Sequence, residues 1–337
     1  MKAAVFIGKE QIKFENNYDY PKLRKDGIII KVKSCAICGS DVDAYLHETI
    51  PPPRVLGHEF AGEIVEIGER IEIWKVGDRV TVAPHIHCNK CYYCINDLSN
   101  LCTKNGGIGF TQDGAFAEFV KVNLNEHHVL KIPDKINYDY AALVETYAIA
   151  YHAVKNSKID EKKSVVIIGA GAMGLFVLLC LKQMGVENVV VIELNDFNKQ
   201  KALDLGATSV FKPEEQYTIR KLMNNLGPDY IFECVGLPQT YIQSINLVRK
   251  AGTVVFIGLH KDSFEFNFFP MMIKELTLKT VTSTTGDDMN EILSILEKKY
   301  VNLDPFITKH VQLSELDDTF KWLLSPERQA VKVFTKF

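Results

Sequence analysis

The sequence predicts an α/β protein with a β-rich first domain and a doubly wound parallel sheet as its second. Three observations support this. Short apolar runs punctuated by Gly, Pro and Asp occupy the chain as far as about Pro133. From Ser164 onward strand-like and helix-like segments alternate, and 337 residues are more than one core usually serves.

In the first half the predicted strands are KAAVFI, GIIIKVKS, GEIVEI, DRVTVA, AFAEFVKV and HVLKIP. Near Tyr138 the apolar period lengthens, and YDYAALVETYAIAYHAV has the length and spacing of a helix joining the domains, with Glu145 on it. The second half reads strand VVIIG, helix AMGLFVLLCLKQM, strand NVVVIE, helix FNKQKALDLG, strand DYIFECVG, helix LPQTYIQSINLVRK and strand GTVVFIG, the alternation that builds a parallel sheet. After ELTLKTV and a helix around Asn290 to Lys299, the strand-like tail QAVKVFTKF is expected to rejoin the first domain. The expected boundaries are 1–144, with a lobe at about 84–105, then 145–284, then a return over 285–337.

Composition excludes several classes of partner. The formal net charge is -3, from 39 basic and 42 acidic residues, and no block of like charge occurs, which argues against nucleic acid or an anionic membrane. No apolar run approaches the length of a membrane span, and MKAAVFIGKEQIKF lacks a signal peptide's apolar core, so the expected location is the cytoplasm.

Six of the eight cysteines fall between Cys35 and Cys102. Cys88, Cys91 and Cys94 at two-residue intervals, followed by Cys102, can close a tetrahedron around Zn²⁺ with no position left for a substrate, which makes such a site structural. Oxidised bridging is the alternative, and His85 and His87 are rival ligands beside a quartet already complete. Cys38 and His58 form an incomplete set gathered by tertiary folding, and an incomplete set leaves room for chemistry. Cys35, Cys180 and Cys234 lie in apolar patterns and receive no function. The same holds for His127, His128, His152, His260 and His310, which have no metal spacing.

Gly169-Ala170-Gly171-Ala172-Met173-Gly174 is a GxGxxG motif between an apolar strand and a helix, the context that a dinucleotide site requires. Gly169 permits the turn, Gly171 lets backbone approach the pyrophosphate, and Gly174 lets helix pack on strand. Pyrophosphate is expected over Ala172 and Met173 at the helix N-terminus. Glu193, ending the next strand, can accept from both ribose hydroxyls and repels a 2′-phosphate; with no Arg at 194 or 195, NAD is expected rather than NADP.

These features together resemble the zinc-containing medium-chain alcohol and polyol dehydrogenases, in the branch of sorbitol and threonine dehydrogenases. The resemblance covers nearly the whole chain, and its most specific elements are GHEFAGEIVEIGERI at 57–71, Cys38-Gly39-Ser40-Asp41 and the four-cysteine lobe. It implies a GroES-like catalytic domain interrupted by a Rossmann domain, with hydride transfer in the cleft between them, and a homotetramer or homodimer. It also implies two zinc ions per chain, one structural and one catalytic. Cys38 and His58 match as catalytic zinc ligands, Glu59 as a residue beside the metal, bound directly or not, and Glu145 as a ligand, directly or through water. Thr146 stands where the family usually has Pro. Ser40 is the candidate to relay the alcohol proton outward, and it can also cap the following helix. Many relatives end that relay at a His five residues after the cysteine, whereas this chain has Asp43, with His47 nearby.

The implied reaction is hydride transfer from a secondary alcohol, a polyol or sugar alcohol first, to NAD through a zinc-bound alkoxide. Threonine 3-dehydrogenase and simple alcohol or diol dehydrogenase are the enzymatic alternatives, chosen by pocket residues among which Tyr45, Phe110 and Phe116 are candidates. A zinc-binding interaction module with a redox-sensing Rossmann domain is the non-enzymatic alternative, and the near-neutral charge argues against it.

Overall fold

The computed structural model describes residues 1–337 as two compact units, one of Met1–Ala148 with Ser283–Phe337 and one of Ile149–Thr282. No helix is long and apolar enough to cross a membrane.

In the first unit a seven-stranded sheet is built around the long strand Gly27–Ala36, which pairs antiparallel with both Glu59–Ile67 and Phe119–Asn123. Its sequence, GIIIKVKSCA, is β-branched on its apolar positions, and Ile28, Ile29, Ile30 and Val32 are fully buried. Each such side chain contributes roughly 1.5–3 kcal/mol of apolar burial. The segment AFAEFVKV becomes a strand only from Phe119, because the amides of Ala115 and Phe116 are already committed to the carbonyls of Gly57 and Leu56. The tail does return to this sheet. Lys332–Lys336 runs parallel to Ile307–Gln312 and antiparallel to Gly27–Ala36, setting Phe334 opposite Ala36. Ala36 pairs on its other side with Glu59, so the tail lies one strand away from the head of Glu59–Ile67.

The second unit is a six-stranded parallel sheet ordered Ser209–Phe211, Val189–Ile192, Val165–Ile168, Tyr230–Glu233, Thr253–Phe256, Thr277–Thr280. The order reverses direction between Val165–Ile168 and Tyr230–Glu233, the crevice where doubly wound sheets bind ligands. Val165–Ile168 and Val189–Ile192 are buried at every position, as strands covered on both faces must be, and this is why they read as unbroken apolar runs. The connecting segment near Tyr138 forms two helices rather than one, Tyr138–Ala142 capped by Asn137 and Val144–Ser157.

His127 is 1% exposed, and neither ring nitrogen makes a well-formed hydrogen bond, although the Ala83 and His85 carbonyls lie nearby. Burial pushes its pKa down to about 4. Between about 6.5 and about 4 the unfolded chain therefore binds a proton that the folded chain refuses, so stability falls as pH falls through that window. The loss at the lower end should be on the order of 2–3 kcal/mol. Urea unfolding of wild type and His127→Gln at neutral and acid pH checks this: the variant should show the shallower decline, and equal declines would refute the assignment.

Candidate active site

Cys38 and His58 are brought together by one carboxylate. Asp41, fully buried in the first turn of helix Gly39–His47, accepts the Cys38 amide at 2.9 Å on Oδ2 and the Gly57 amide at 3.1 Å on Oδ1. It thereby ties the helix entrance to the loop before Glu59–Ile67. Gly57 sits at φ 89° with the Phe116 ring packed where a Cβ would stand, so only glycine fits that corner. The result places ligand atoms of Cys38, His58 and Glu59 all within 4.8 Å of one another. His58 Nδ1 lies 3.5 Å from Asp41 Oδ1, and its Nε2 lies 3.5 Å from Ser40 Oγ. Nδ1 is therefore within ion-pair reach of a carboxylate while making no well-formed hydrogen bond to it. Phe110 packs on the His58 ring with centroids 4.6 Å apart.

The electrostatics of this pocket favour a cation. Burial opposes charge on His58, yet the Asp41 carboxylate and the Cys38 sulfur outweigh it and hold the imidazole pKa well above its ordinary value. Glu145, 2% exposed in the first turn of Val144–Ser157, is driven up to about 7 by burial, a rise partly opposed by His58. Its Oε2 is buried with no hydrogen-bond partner. Glu59 is also fully buried, but both its oxygens are held by Lys332 Nζ, the contact to Oε2 measuring 2.6 Å. The donor set of thiolate, imidazole and an orphaned carboxylate oxygen fits a divalent metal such as Zn²⁺.

The second cysteine group is a different kind of site. Cys88, Cys91, Cys94 and Cys102 have sulfurs within 4.8 Å of one another, with Cys88–Cys94 at 3.9 Å and Cys91–Cys102 at 4.0 Å. A disulfide would need about 2.05 Å. Four thiolates around zinc at about 2.3 Å stand roughly 3.8 Å apart, and the quartet fits that spacing. Backbone amides assist: Cys91 N donates to Cys88 Sγ at 3.3 Å and Lys104 N to Cys102 Sγ at 3.4 Å. Backbone donors at Thr103 and Cys94 pull the Cys91 thiol down to about 5.

In the second unit each motif glycine has a measurable reason. Gly169 holds φ 92°, and a Cβ on Gly174 would stand 1.9 Å from the Gly169 carbonyl oxygen, so helix Ala172–Gln183 could not pack as it does. A Cβ on Gly171 would meet nothing within 4 Å. Gly171 therefore opens a space rather than filling one, at a helix N-terminus where Gly171 is exposed and Ala172 and Met173 are half-buried, which fits a pyrophosphate. Glu193 lies just beyond Val189–Ile192, but its carboxylate already accepts from Ala170 N at 2.7 Å, Leu194 N at 2.7 Å and Asn195 N at 2.8 Å. One of a carboxylate's roughly four acceptor positions is left for a ribose hydroxyl.

Several expectations are corrected. Tyr45 and Phe116 do not line a pocket: both are fully buried, packed against Phe320, and the Tyr45 hydroxyl donates to Glu10 O and Asp317 Oδ1. Ser40 is not the cap of the following helix, because Cys38 occupies that position. Asp43 is held by the Thr49 hydroxyl at 3.1 Å, and His310 pairs with Asp139 at 2.8 Å. The sequence motif contains Asp41 and the tail contains Lys332, but neither residue has a role that the sequence assigns. Asp41 had a local signal, an acidic residue three positions after Cys38 at a helix start, whereas Lys332 had none.

The chain is similar to known proteins over its whole length. Residues 24–134 match the model of the alcohol dehydrogenase GroES-like domain, and residues 172–298 match that of the zinc-binding dehydrogenases. The chain is 32% identical to (R,R)-butanediol dehydrogenase of Bacillus subtilis (strain 168), over 100% of this chain and 99% of the relative. It is 33% identical to the sorbitol dehydrogenase of Halalkalibacterium halodurans over 93% and 92%. It is likewise 33% identical to the L-threonine 3-dehydrogenase of Pyrococcus horikoshii over 90% and 89%. The crystal structure of the Bacillus subtilis 2R,3R-butanediol dehydrogenase superposes with a TM-score of 0.88 at 31% identity, covering 100% and 99% of the two chains. A zinc-binding dehydrogenase of Sinorhizobium meliloti 1021 bound to NADP superposes at 0.91 and 27% identity, again over 100% and 99%.

The two glycines of the motif should respond oppositely to alanine. Gly174→Ala should lower the melting temperature by roughly 5 °C or more, because backbone must move. Gly171→Ala should melt like wild type yet bind dinucleotide at least about tenfold more weakly. Calorimetry and titration with NAD distinguish them, and equal melting losses would reject the division of roles. The cysteines should divide too. Cys91→Ala should lower the melting temperature by roughly 5 °C or more, since a closed metal site contributes folding energy. Cys38→Ala should melt near wild type while losing turnover, and equal melting losses would count against two kinds of site.

Proposed function

The chain belongs to the zinc-containing medium-chain alcohol and polyol dehydrogenase family, and from that membership we propose that it oxidises a secondary alcohol, a polyol or sugar alcohol first, with NAD as acceptor. The products are the ketone, NADH and a proton. The observation that carries this reading is the orphaned Glu145 Oε2 buried in the electrostatic reach of His58, a vacancy in hydrogen bonding that a metal would fill.

In this reading Cys38, His58 and Glu145 hold a catalytic zinc and the cysteine quartet holds a structural one. The catalytic ion supplies a Lewis acid that makes a hydroxyl acidic near neutral pH. Asp41, whose Oδ1 lies 3.5 Å from His58 Nδ1, would accept that N–H and hold the ring while the other nitrogen binds the metal. Ser40, beside His58 Nε2, receives the proton on its hydroxyl and passes it outward. Phe110, stacked on His58, forms an apolar wall of the substrate space. The open backbone at Gly171 and the first amides of Ala172–Gln183 hold the pyrophosphate, and Glu193 takes a ribose hydroxyl on its remaining acceptor position while its charge disfavours a 2′-phosphate.

L-Threonine and simple alcohols or diols form the second reading, favoured by relatives named for L-threonine and butanediol at 33% and 32% identity, beside 33% for the sorbitol dehydrogenase. We place the protein in the cytoplasm as a homodimer or homotetramer. Support for self-association comes from Phe268, Phe269, Met272 and Ile273, which are all more than half exposed next to the edge strand Thr277–Thr280.

A panel of polyols, butanediols, L-threonine and simple alcohols, each with NAD and with NADP, tests the proposal. At least one secondary alcohol should reduce NAD, with kcat/KM at least about tenfold above that for NADP, and a zinc chelator should abolish the reaction. Protein holding two zinc ions per chain that reduced NAD with none of these alcohols would overturn it.

A further inference from the structure

The first unit also holds a groove of about 770 Å³, a volume within the range of small-molecule sites. It shares no residue with the Cys38 pocket, the cysteine quartet or the glycine motif. Three segments form its walls: the irregular run after strand Gln11–Glu15, the loop at Thr111–Gly114 and the strand Phe119–Asn123. Arg54 lies among them with most of its donors unspent. Its Nη1 donates to Asp113 Oδ1 at 3.4 Å, its Nε is buried without a partner, and its Nη2 makes no hydrogen bond although it is not sealed from solvent. A guanidinium carries five donors in a planar fork suited to a carboxylate or phosphate group. Asp113 cannot satisfy that fork, because Oδ1 also accepts Val55 N at 3.2 Å and Oδ2 accepts the Tyr18 hydroxyl at 3.0 Å.

The charges around Arg54 leave a positive surplus. Of the carboxylates lining the groove, Glu15 is paired with Lys13, Glu126 with Lys104 and Asp113 with Arg54, so Asp19 alone is free. Against it stand Lys22 and Lys121, which form no ion pair, and Arg24, whose Nε reaches Asp26 at 3.5 Å. The amino group of Met1 lies there too, donating to Tyr18 O at 2.8 Å. Tyr20 and Phe119, with ring centroids 5.0 Å apart, add an aromatic wall. We propose that this groove binds a small organic anion, with Arg54 holding its carboxylate or phosphate group and Lys22 and Lys121 supplying countercharge. The volume calls for an organic body behind that group, since a bare phosphate ion would fill little of it. This site lies outside the reaction proposed above and does not depend on it.

The test is calorimetric titration of the full-length, zinc-loaded protein with succinate, phosphoglycolate and inorganic phosphate, in excess NAD so that the glycine motif is not the site measured. Wild type should bind succinate or phosphoglycolate once per chain with a Kd below about 1 mM, and inorganic phosphate at least about tenfold more weakly. Preference between the two organic probes identifies the group that Arg54 holds. Arg54→Met should weaken binding at least about tenfold, and Lys121→Met at least about threefold, in chains that keep the wild-type circular dichroism spectrum. Arg54→Lys should fall between wild type and Arg54→Met, because it keeps the charge and loses the fork. No saturable heat from any probe would overturn the assignment, as would equal affinity in wild type and Arg54→Met. Inorganic phosphate bound as tightly as either organic probe would overturn the organic class of ligand. Should Arg54→Met not fold, Lys22→Met combined with Lys121→Met decides, and unchanged affinity in that pair rejects the site.

Discussion

A carboxylate cannot be buried alone, and the region around Cys38 is organised by that constraint. Three carboxylates lie in one water-poor pocket, those of Asp41, Glu59 and Glu145, each at most 2% exposed. Asp41 is satisfied by the amides of Cys38 and Gly57, Glu59 by the ammonium of Lys332, and Glu145 keeps one oxygen unpartnered. Unmatched negative charge in a medium of low dielectric costs several kcal/mol, which is why burial drives the Glu145 carboxyl up to about 7 and why its unpartnered oxygen suits a cation. The ion pair to Lys332 also has an architectural role. It fastens the chain's last strand to the head of Glu59–Ile67 across the strand Gly27–Ala36.

The two cysteine groups illustrate how the same atom type serves opposite ends. In the lobe, four sulfurs converge from a short stretch stiffened by 3₁₀ turns at Cys94–Asn96 and Ser99–Leu101, so closure is largely a local matter. Around Cys38 the donors come from three distant parts of the chain, and the geometry depends on strand register and on Asp41 bridging two segments. A closed set contributes folding energy, whereas an open one leaves a position for chemistry. The glycine motif follows a similar economy: Gly174 is small because the structure packs against it, and Gly171 because nothing does.

The fold class was legible because its signals are local and periodic. Strands covered on both faces must be apolar throughout, and Val165–Ile168 and Val189–Ile192 announce themselves for that reason. The quartet was legible through spacing, and Cys38, His58 and Glu145 through resemblance to a family. Tyr45 and Phe116 were misread as pocket residues because an aromatic residue near a functional segment looks the same in sequence whether it faces the site or the core. The short strand Ser209–Phe211 leaves little periodic signal in three half-buried residues, whereas the helix Leu316–Leu324 buries Leu316, Thr319, Phe320 and Leu323 at helical spacing, a pattern the sequence carries in plain form.

The sequence by itself therefore determined the class of fold and the family, and pointed to a glycine-rich turn and a cysteine quartet through residues close together, with Cys38, His58 and Glu145 added by resemblance. Which carboxylate is free was decided only by tertiary structure. Glu59 and Glu145 are equivalent as letters, and what separates them is a lysine 273 residues from Glu59, delivered by a returning strand. Pairing between groups so far apart leaves no pattern in a single chain, because burial and strand register rather than sequence neighbourhood choose the partner.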